Sequence, residues 1–482
     1  MLLGVGFVLA TGLMTSCTQS QLIDLARTTP GTFISQADEL KIGAQAHPKI
    51  VSQFGGVYED ADLNAYLANI VTRLKENSPQ PDVPYQVTVL NSPAINAFAV
   101  PGGYIYLTRG LLALANNEAE IASVLAHELG HLTERHSAKR YSVAIKASII
   151  TRILEVAEDD PALRRNLRLG SASLLARHSR DQEIEADRIA ILITQRTGYD
   201  PYAGISFLKT MTSQNSFKNK LNNTNRLVSQ VDFFATHPAI NLRKIKAFSF
   251  ASQLGFTPDR KKRNRGAYLS KINKLRYGNN RDQGIVRGRT FINPQQGFRF
   301  KVPPGFRIQN RKLLVVALDR DQNVMLFDSR PSSPEADLED VLGRHFNLGR
   351  TAWNTKKTIK NGIETVSGTA SYRNVDHQIF LIRKNPGKIY RFWFISSPNQ
   401  TKALSQFFQQ TANSFGPLSP TDRKRAVQRK LQTITVKPGD TVAAISKKMA
   451  FTELRQQRFR VLNGLSPNAT LKSGQQVKII TN

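Results

Sequence analysis

His127 and His131 stand four residues apart, with Glu128 between them, in the run His127-Glu128-Leu129-Gly130-His131. On a helix, side chains at i and i+4 project from one face about one turn apart. Two imidazoles so spaced can reach one Zn²⁺. Glu128 then lies beside the metal rather than on it, placed to take a proton from an attacking water. A catalytic zinc needs a third protein ligand and an open position. Glu183 and Asp187 repeat the i, i+4 spacing further along the chain. Glu183 is the candidate third ligand, and Asp187 can accept the outer ring N–H of a ligating histidine and so fix its tautomer. Glu185 faces elsewhere on such a helix and reads as structural. The expectation is one Zn²⁺ per chain.

These residues need rigid elements to hold them. Asn117 followed by Glu120 makes a capping-box pattern, and Ile121, Val124, Leu125 and Leu132 supply an apolar stripe, so a helix is predicted from Asn117 through His131. Gly130 leaves room for a neighbouring element to approach closely. Ser179 with Gln182 repeats the capping pattern and predicts that the second helix starts at Ser179. Strands are predicted at Tyr85–Leu90 and around Tyr104–Leu107, the latter following Pro101-Gly102-Gly103.

With these pieces in place, the chain resembles the gluzincin zinc metalloprotease family of HtpX, the CAAX prenyl protease and BepA. The resemblance rests on four motifs in order: Asn96 to Tyr106, His127 to His131, Glu183-x-x-Ala186-Asp187, and Thr236-His237-Pro238 with Arg243 six residues after the histidine. It implies a zincin-type protease domain, mainly helical, in which His127, His131 and Glu183 hold zinc and Glu128 activates water. It also implies an edge strand around Ala97, Phe98, Ala99, Gly102, Gly103 and Tyr104 that pairs with substrate backbone. Asp187 and Arg243 would support the ligands from behind. His237 carries two readings: it stabilises the oxyanion of the tetrahedral intermediate, or it takes the fourth zinc position and plugs the site. His136 recurs near this position in relatives and is a minor candidate.

The rest of the chain is modular. At 482 residues it exceeds one compact core, and 40% hydrophobic with 21% charged residues is the composition of an ordinary globular protein. The expected organisation is a multidomain α+β protein. Residues 1–17 read as a lipoprotein signal peptide with Cys17 as the lipidated residue, a soluble signal with an incidental cysteine being the alternative. A tether at 18–36, the protease domain at 37–250 and a basic linker at 251–289 follow. Residues 290–417 form a small α+β domain that resembles the PsbP/Mog1-like fold, and 418–431 a second linker. In the last segment, 432–482, the strand-helix-helix-strand pattern with Pro438-Gly439-Asp440-Thr441 resembles a LysM domain. That resemblance implies binding to glycans such as peptidoglycan, a structural cap being the alternative.

The formal net charge of +31, from 67 Lys plus Arg against 36 Asp plus Glu, attracts polyanions in general. The signal and the LysM-like module favour an envelope polymer or lipid over nucleic acid. The resemblance and the lack of spanning segments around the zinc motif point to the soluble periplasmic branch, lipid-anchored, with the outer membrane favoured by Thr18. The insert from Ser142 to Leu175 suits an amphipathic lid. The expected activity is hydrolysis of peptide bonds in misfolded or misassembled envelope proteins. The rival functions are a chaperone or assembly factor with a self-blocked zinc site, and a peptidoglycan-binding scaffold.

Overall fold

The computed structural model describes residues 35–140, 161–222, 236–258, 262–310, 314–344, 353–360 and 363–482, with backbone alone at 161–178, 222 and 360. Cys17, the signal segment, the tether as far as residue 34 and the first part of the insert, through residue 160, lie outside the described residues. Among the described residues no helix is long and apolar enough to cross a membrane.

The N-terminal unit opens with helices α1 (Gln36–Gln53) and α2 (Ala61–Glu76). Strands β1 (Gln86–Leu90), β2 (Ala97–Val100) and β3 (Tyr104–Thr108) form a sheet in the order β1-β3-β2. β3 runs parallel to β1 and antiparallel to β2, which leaves β2 at the edge. Gly102 and Gly103 turn the chain between β2 and β3 with φ of +88° and +86°. A Cβ on Gly103 would lie 2.3 Å from the Pro84 carbonyl oxygen, so the turn excludes other residues. Gly102, Gly103 and Tyr104 therefore do not extend the edge strand as expected. The two glycines reverse the chain, and Tyr104 opens the central strand.

A short helix α3 (Arg109–Leu114) leads to α4 (Glu118–Thr133), which carries the His-Glu-x-x-His run. Asn117 caps α4 through its side chain, which accepts from the Glu120 N–H. Helix α5 spans Pro161–Arg196, so Ser179 lies inside it and starts nothing. Gln182 instead donates from Nε2 to the His136 carbonyl (3.2 Å), a tertiary contact rather than a cap. Gly130 sets the approach of α4 to α5: a Cβ there would lie 3.2 Å from Ala186 Cα. The glycine of one motif and the alanine of the other are thus two sides of one contact. Helices α6 (Ala203–Asn222) and α7 (Ile240–Gln253) complete this unit.

Of residues 251–289, expected as a basic linker, the described residues 251–258 and 262–289 are built into the fold. Helix α8 (Arg265–Lys271) buries Tyr268 and Leu269, and Ile272 and Leu275 follow them into the core. Strand β4 (Arg276–Tyr277) joins the C-terminal sheet. The many cations concealed a sparse apolar stripe that only packing reveals.

The middle unit pairs β5 (Ile285–Arg287), β6 (Thr290–Asn293), β7 (Phe298–Lys301) and β15 (Gly416–Pro417) in a four-stranded sheet. Strands β8 (Arg307–Asn310), β9 (Val315–Leu318), β10 (Val324–Pro331), β11 (Asn354–Lys360), β12 (Ile363–Tyr372), β13 (Val375–Asn385) and β14 (Lys388–Ser396) form a seven-stranded sheet in the order β11-β12-β13-β14-β10-β9-β8. Its core is rich in phenylalanine, including Phe291, Phe298, Phe300, Phe327, Phe392 and Phe408.

The C-terminal unit is β16 (Arg429–Thr435), α9 (Val442–Lys447), α10 (Arg455–Leu462) and β17 (Gln476–Thr481). It does not hang free. Its Leu431, Ile445, Phe459 and Ile479 share one hydrophobic core with Leu112, Ala119 and Phe207 of the N-terminal unit. Lys478, fully buried, donates to the carbonyls of Ala113, Leu114 and Ala115 at 2.8, 3.1 and 2.6 Å, closing the C-terminal end of α3.

Candidate metal centre

Four buried side chains from three places in the chain converge: His127 and His131 on α4, Glu183 on α5 and His237 just before α7. One donor atom from each lies within 4.8 Å of all the others. His127 Nε2 is 3.0 Å from His131 Nε2 and 3.3 Å from His237 Nδ1. Glu183 Oε2 lies 3.1 Å from His237 Nδ1 and 3.4 Å from His127 Nε2, while its Oε1 is 3.3 Å from His131 Nε2.

The outer nitrogens explain why these inner atoms are lone pairs. His127 Nδ1 lies 3.0 Å from Asp187 Oδ1, and a carboxylate can only accept, so the ring proton sits on Nδ1. His237 Nε2 donates to the Ala97 carbonyl at 3.1 Å, which leaves Nδ1 unprotonated toward the cluster. His131 is held through a relay. His136 donates from Nε2 to Glu185 (3.1 Å), so its Nδ1 accepts from His131 Nδ1 at 2.8 Å. Every ring nitrogen facing outward has an acceptor, and every one facing inward offers a lone pair, the pattern that supporting partners impose on metal-binding histidines. Converging lone pairs repel unless a cation lies among them. This donor set of nitrogens and one carboxylate fits Zn²⁺.

The electrostatics agree. Burial lowers the tendency of His127 to protonate, and contacts with Asp187 and Glu183 overcome it, lifting its pKa to about 9. Surroundings that favour a proton there favour a divalent cation. Burial pulls His131 down to about 4 and His136 to about 2, which keeps both neutral and available as relay and donor. Burial would raise the Glu183 carboxyl, but the facing rings of His237, His127 and His131 hold it well below the usual carboxylate range. Arg243 is buried and would lose charge by desolvation. Asp187 reverses this with a two-pronged contact, accepting from Nε at 2.8 Å and Nη2 at 2.7 Å. Its Nη1 lies 2.9 Å from Glu183 Oε2. Glu128 is buried beside the donors, its Oε1 without a hydrogen bond and 3.5 Å from His237 Nε2.

The edge strand lies alongside. The Thr108 N–H donates to the Asn96 carbonyl, so the next carbonyl, that of Ala97, points away from β3 to the free edge. Phe98 and Ala99 continue β2 past the cluster. The His136–Glu185 relay went unread in the sequence, where Glu185 was assigned to a structural face. Its only sequence signal is a histidine five residues beyond His131. His47 contacts Tyr106 (2.9 Å) and His377 accepts from Trp393 (3.0 Å), both away from the cluster.

A helix bearing His-Glu-x-x-His, a carboxylate from the helix packed on it and a sheet with a free edge beside them define the zinc metallopeptidase class. Residues 61–249 match Peptidase family M48. Residues 434–479 match the LysM domain. The beta-barrel assembly-enhancing protease of Escherichia coli K12 is 29% identical over 246 residues, 48% of this chain and 48% of that protein. The Yersinia pestis protein of the same name is 29% identical over 47% of this chain and 46% of its own length. Mitochondrial metalloendopeptidase OMA1 of Schizosaccharomyces pombe is 26% identical over 50% of this chain and 70% of that protein. The chain thus spans about half the length of the bacterial relatives it matches. The solution structure of cyanobacterial PsbP from Synechocystis covers 29% of this chain at 16% identity, with a TM-score of 0.23 that carries no fold assignment.

Proposed function

We propose that the chain is a zinc-dependent endopeptidase of the bacterial cell envelope that cleaves misfolded or misassembled envelope proteins. His127, His131 and Glu183 hold one Zn²⁺, with His237 at the fourth position in the resting state. When bound, zinc supplies the Lewis acidity that makes water a usable nucleophile near neutral pH. Glu128 takes the proton from the attacking water, its buried Oε1 being free to accept. Asp187 and Arg243 orient His127 and Glu183. Ala97, Phe98 and Ala99 pair with substrate backbone by strand addition.

The observation that carries this reading is the His237 contact. Its Nε2 donates to the outward carbonyl of Ala97 while its Nδ1 faces the other donors. One side chain would thus hold the fourth metal position while it occupies the Ala97 carbonyl, the first backbone acceptor on the proposed substrate edge. The same contact favours the second reading, an assembly factor whose zinc stays blocked and whose groove only binds.

The envelope setting is supported by the names of the bacterial relatives, which join proteolysis with β-barrel assembly. The LysM domain supports binding to peptidoglycan glycan. The middle unit is read as PsbP/Mog1-like, and membrane association as a lipid anchor on Cys17. Outer-membrane placement belongs to the same proposal.

Cleavage of casein by wild type, Glu128→Gln and His237→Ala tests the activity. Hydrolysis by wild type or His237→Ala, abolished in Glu128→Gln, is expected. Inert wild type and inert His237→Ala, each with stoichiometric zinc, would leave the blocked assembly factor as the function.

A further inference from the structure

Where the three units meet, two adjoining cavities are lined by arginines and by no carboxylate. The smaller, about 170 Å³, is bounded by Arg287, Arg429 and Arg458 with Gln428 and Phe451. The larger, about 240 Å³, is mainly apolar, with Ile95, Leu114, Phe217, Leu221 and Leu462 on its wall. Tyr277, Gly278 and Arg458 belong to both, so the two spaces are neighbours across Arg458.

The arginines are crowded. The Arg429 and Arg458 guanidinium carbons lie 4.1 and 3.9 Å from the centroid of the same Phe451 ring, and Arg458 also sits 4.8 Å from that of Phe217. The Nε atoms of Arg429 and Arg458 are buried and make no hydrogen bond. Among the described residues, none of Arg287, Arg429 and Arg458 forms an ion pair. Burial and then the neighbouring guanidinium groups lower the charge affinity of Arg287, to about 10, and of Arg429. Two other buried arginines are compensated by carboxylates, Arg243 by Asp187 and Arg391 by Asp328 at 3.0 and 2.5 Å, while buried Arg109 is satisfied by Asn91 and the Arg276 and Gly278 carbonyls. Three like charges drawn together without a counter-charge cost free energy, and a ligand anion would offset it.

We infer that this seam binds an amphiphile carrying a phosphate group, with the phosphate among Arg287, Arg429 and Arg458 and the apolar portion in the adjoining cavity. Planar guanidinium forks suit phosphate oxygens two at a time, and the apolar wall suits the body that bears the phosphate. Such a ligand would clasp the middle and C-terminal units to the protease unit. The inference is independent of the metal centre.

Calorimetric titration of the full chain with dihexanoyl phosphatidic acid, below its micellar concentration, tests it. Saturable binding at one site is expected, weakened at least about tenfold in Arg429→Gln/Arg458→Gln. Inorganic phosphate should bind at least about tenfold more weakly than the lipid. Exposed Lys402→Gln/Arg423→Gln, which removes the same charge elsewhere, should bind as wild type does. Absence of saturable binding overturns the inference, as does equal weakening in the Lys402/Arg423 pair. Equal affinity for inorganic phosphate overturns the amphiphile assignment. Arg287→Gln, which leaves the Phe451 stack untouched, repeats the test should the double variant fail to fold by circular dichroism.

Discussion

His237 reaches from the segment before α7 to the carbonyl of Ala97, 3.1 Å away on the sheet edge. The hydrogen bond fixes the histidine tautomer and occupies the acceptor an incoming strand would use. Under the proposed function, opening the site requires one event, withdrawal of this ring, rather than two. His237→Ala should raise both peptide hydrolysis and the affinity for a non-cleavable extended peptide, each by on the order of tenfold. Parallel steady-state kinetics and peptide binding read the two effects, and a gain in one without the other would separate the plug from the edge.

In the proposed mechanism Glu128 contributes a proton acceptor and no ligand bond. Glu128→Gln should lower hydrolysis by roughly 10²–10⁴-fold. Zinc content, measured by atomic emission on the purified protein, should stay at one per chain. Loss of zinc in this variant would mean that Glu128 helps hold the metal.

The His131–His136–Glu185 relay makes an exposed acid matter to a buried site. Glu185 has a side chain 51% exposed, so Glu185→Gln should fold normally. It removes the acceptor that sets the His136 tautomer, and zinc affinity should fall about tenfold or more, measured by competition with a chromogenic chelator. Arg188→Gln, on the same helix, is the control and should leave affinity unchanged.

Lys478 tests the docking of the C-terminal unit. Lys478→Met keeps the length of the side chain but removes the donor to the Ala113 and Ala115 carbonyls, and leaves the Leu114 carbonyl with Asn116 Nδ2 alone. The expected cost is about 1–3 kcal/mol for buried acceptors left unsatisfied. It should appear as a lower urea midpoint for the N-terminal and C-terminal units together, because they share one core.

Glu118 opens α4 and accepts from Tyr66 (2.6 Å), Tyr199 (2.5 Å), Asn264 (3.0 Å) and Arg73 (3.1 Å). Burial opposes its ionisation, but these donors outweigh it and its pKa lies below 4.5. A carboxylate with a lowered folded pKa stabilises the fold fully above its unfolded value. That stabilisation is lost as pH falls through the folded value. Wild type should thus exceed Glu118→Gln in thermal stability near pH 7, with the gap narrowing below pH 4.5 in melts taken across that range.

Much of the site was legible because its signals are local. The i, i+4 spacings of His127 with His131 and of Glu183 with Asp187 follow from helix geometry alone, and Asn117 announces its helix by chemistry confined to one turn. The β2–β3 reversal was present in the two glycines but was read as continuous strand, since a glycine pair does not say whether it bends or extends the chain. Ser179 misled for a related reason: a capping pattern also occurs where a helix continues and the same side chains find tertiary partners.

The sequence by itself determined the chemical types, their spacing along two helices and the order of the units, because each depends on contacts within a few residues. Only the tertiary structure decided which nitrogen of each histidine faces inward, that His136 and Glu185 stand behind His131, and that His237 touches Ala97. It also decided that residues 265–277 and the C-terminal unit join the protease core, and that arginines far apart in the chain crowd one cavity. These are relationships between segments separated by tens to hundreds of residues. Their distances are set by how apolar faces pack, which no local pattern encodes.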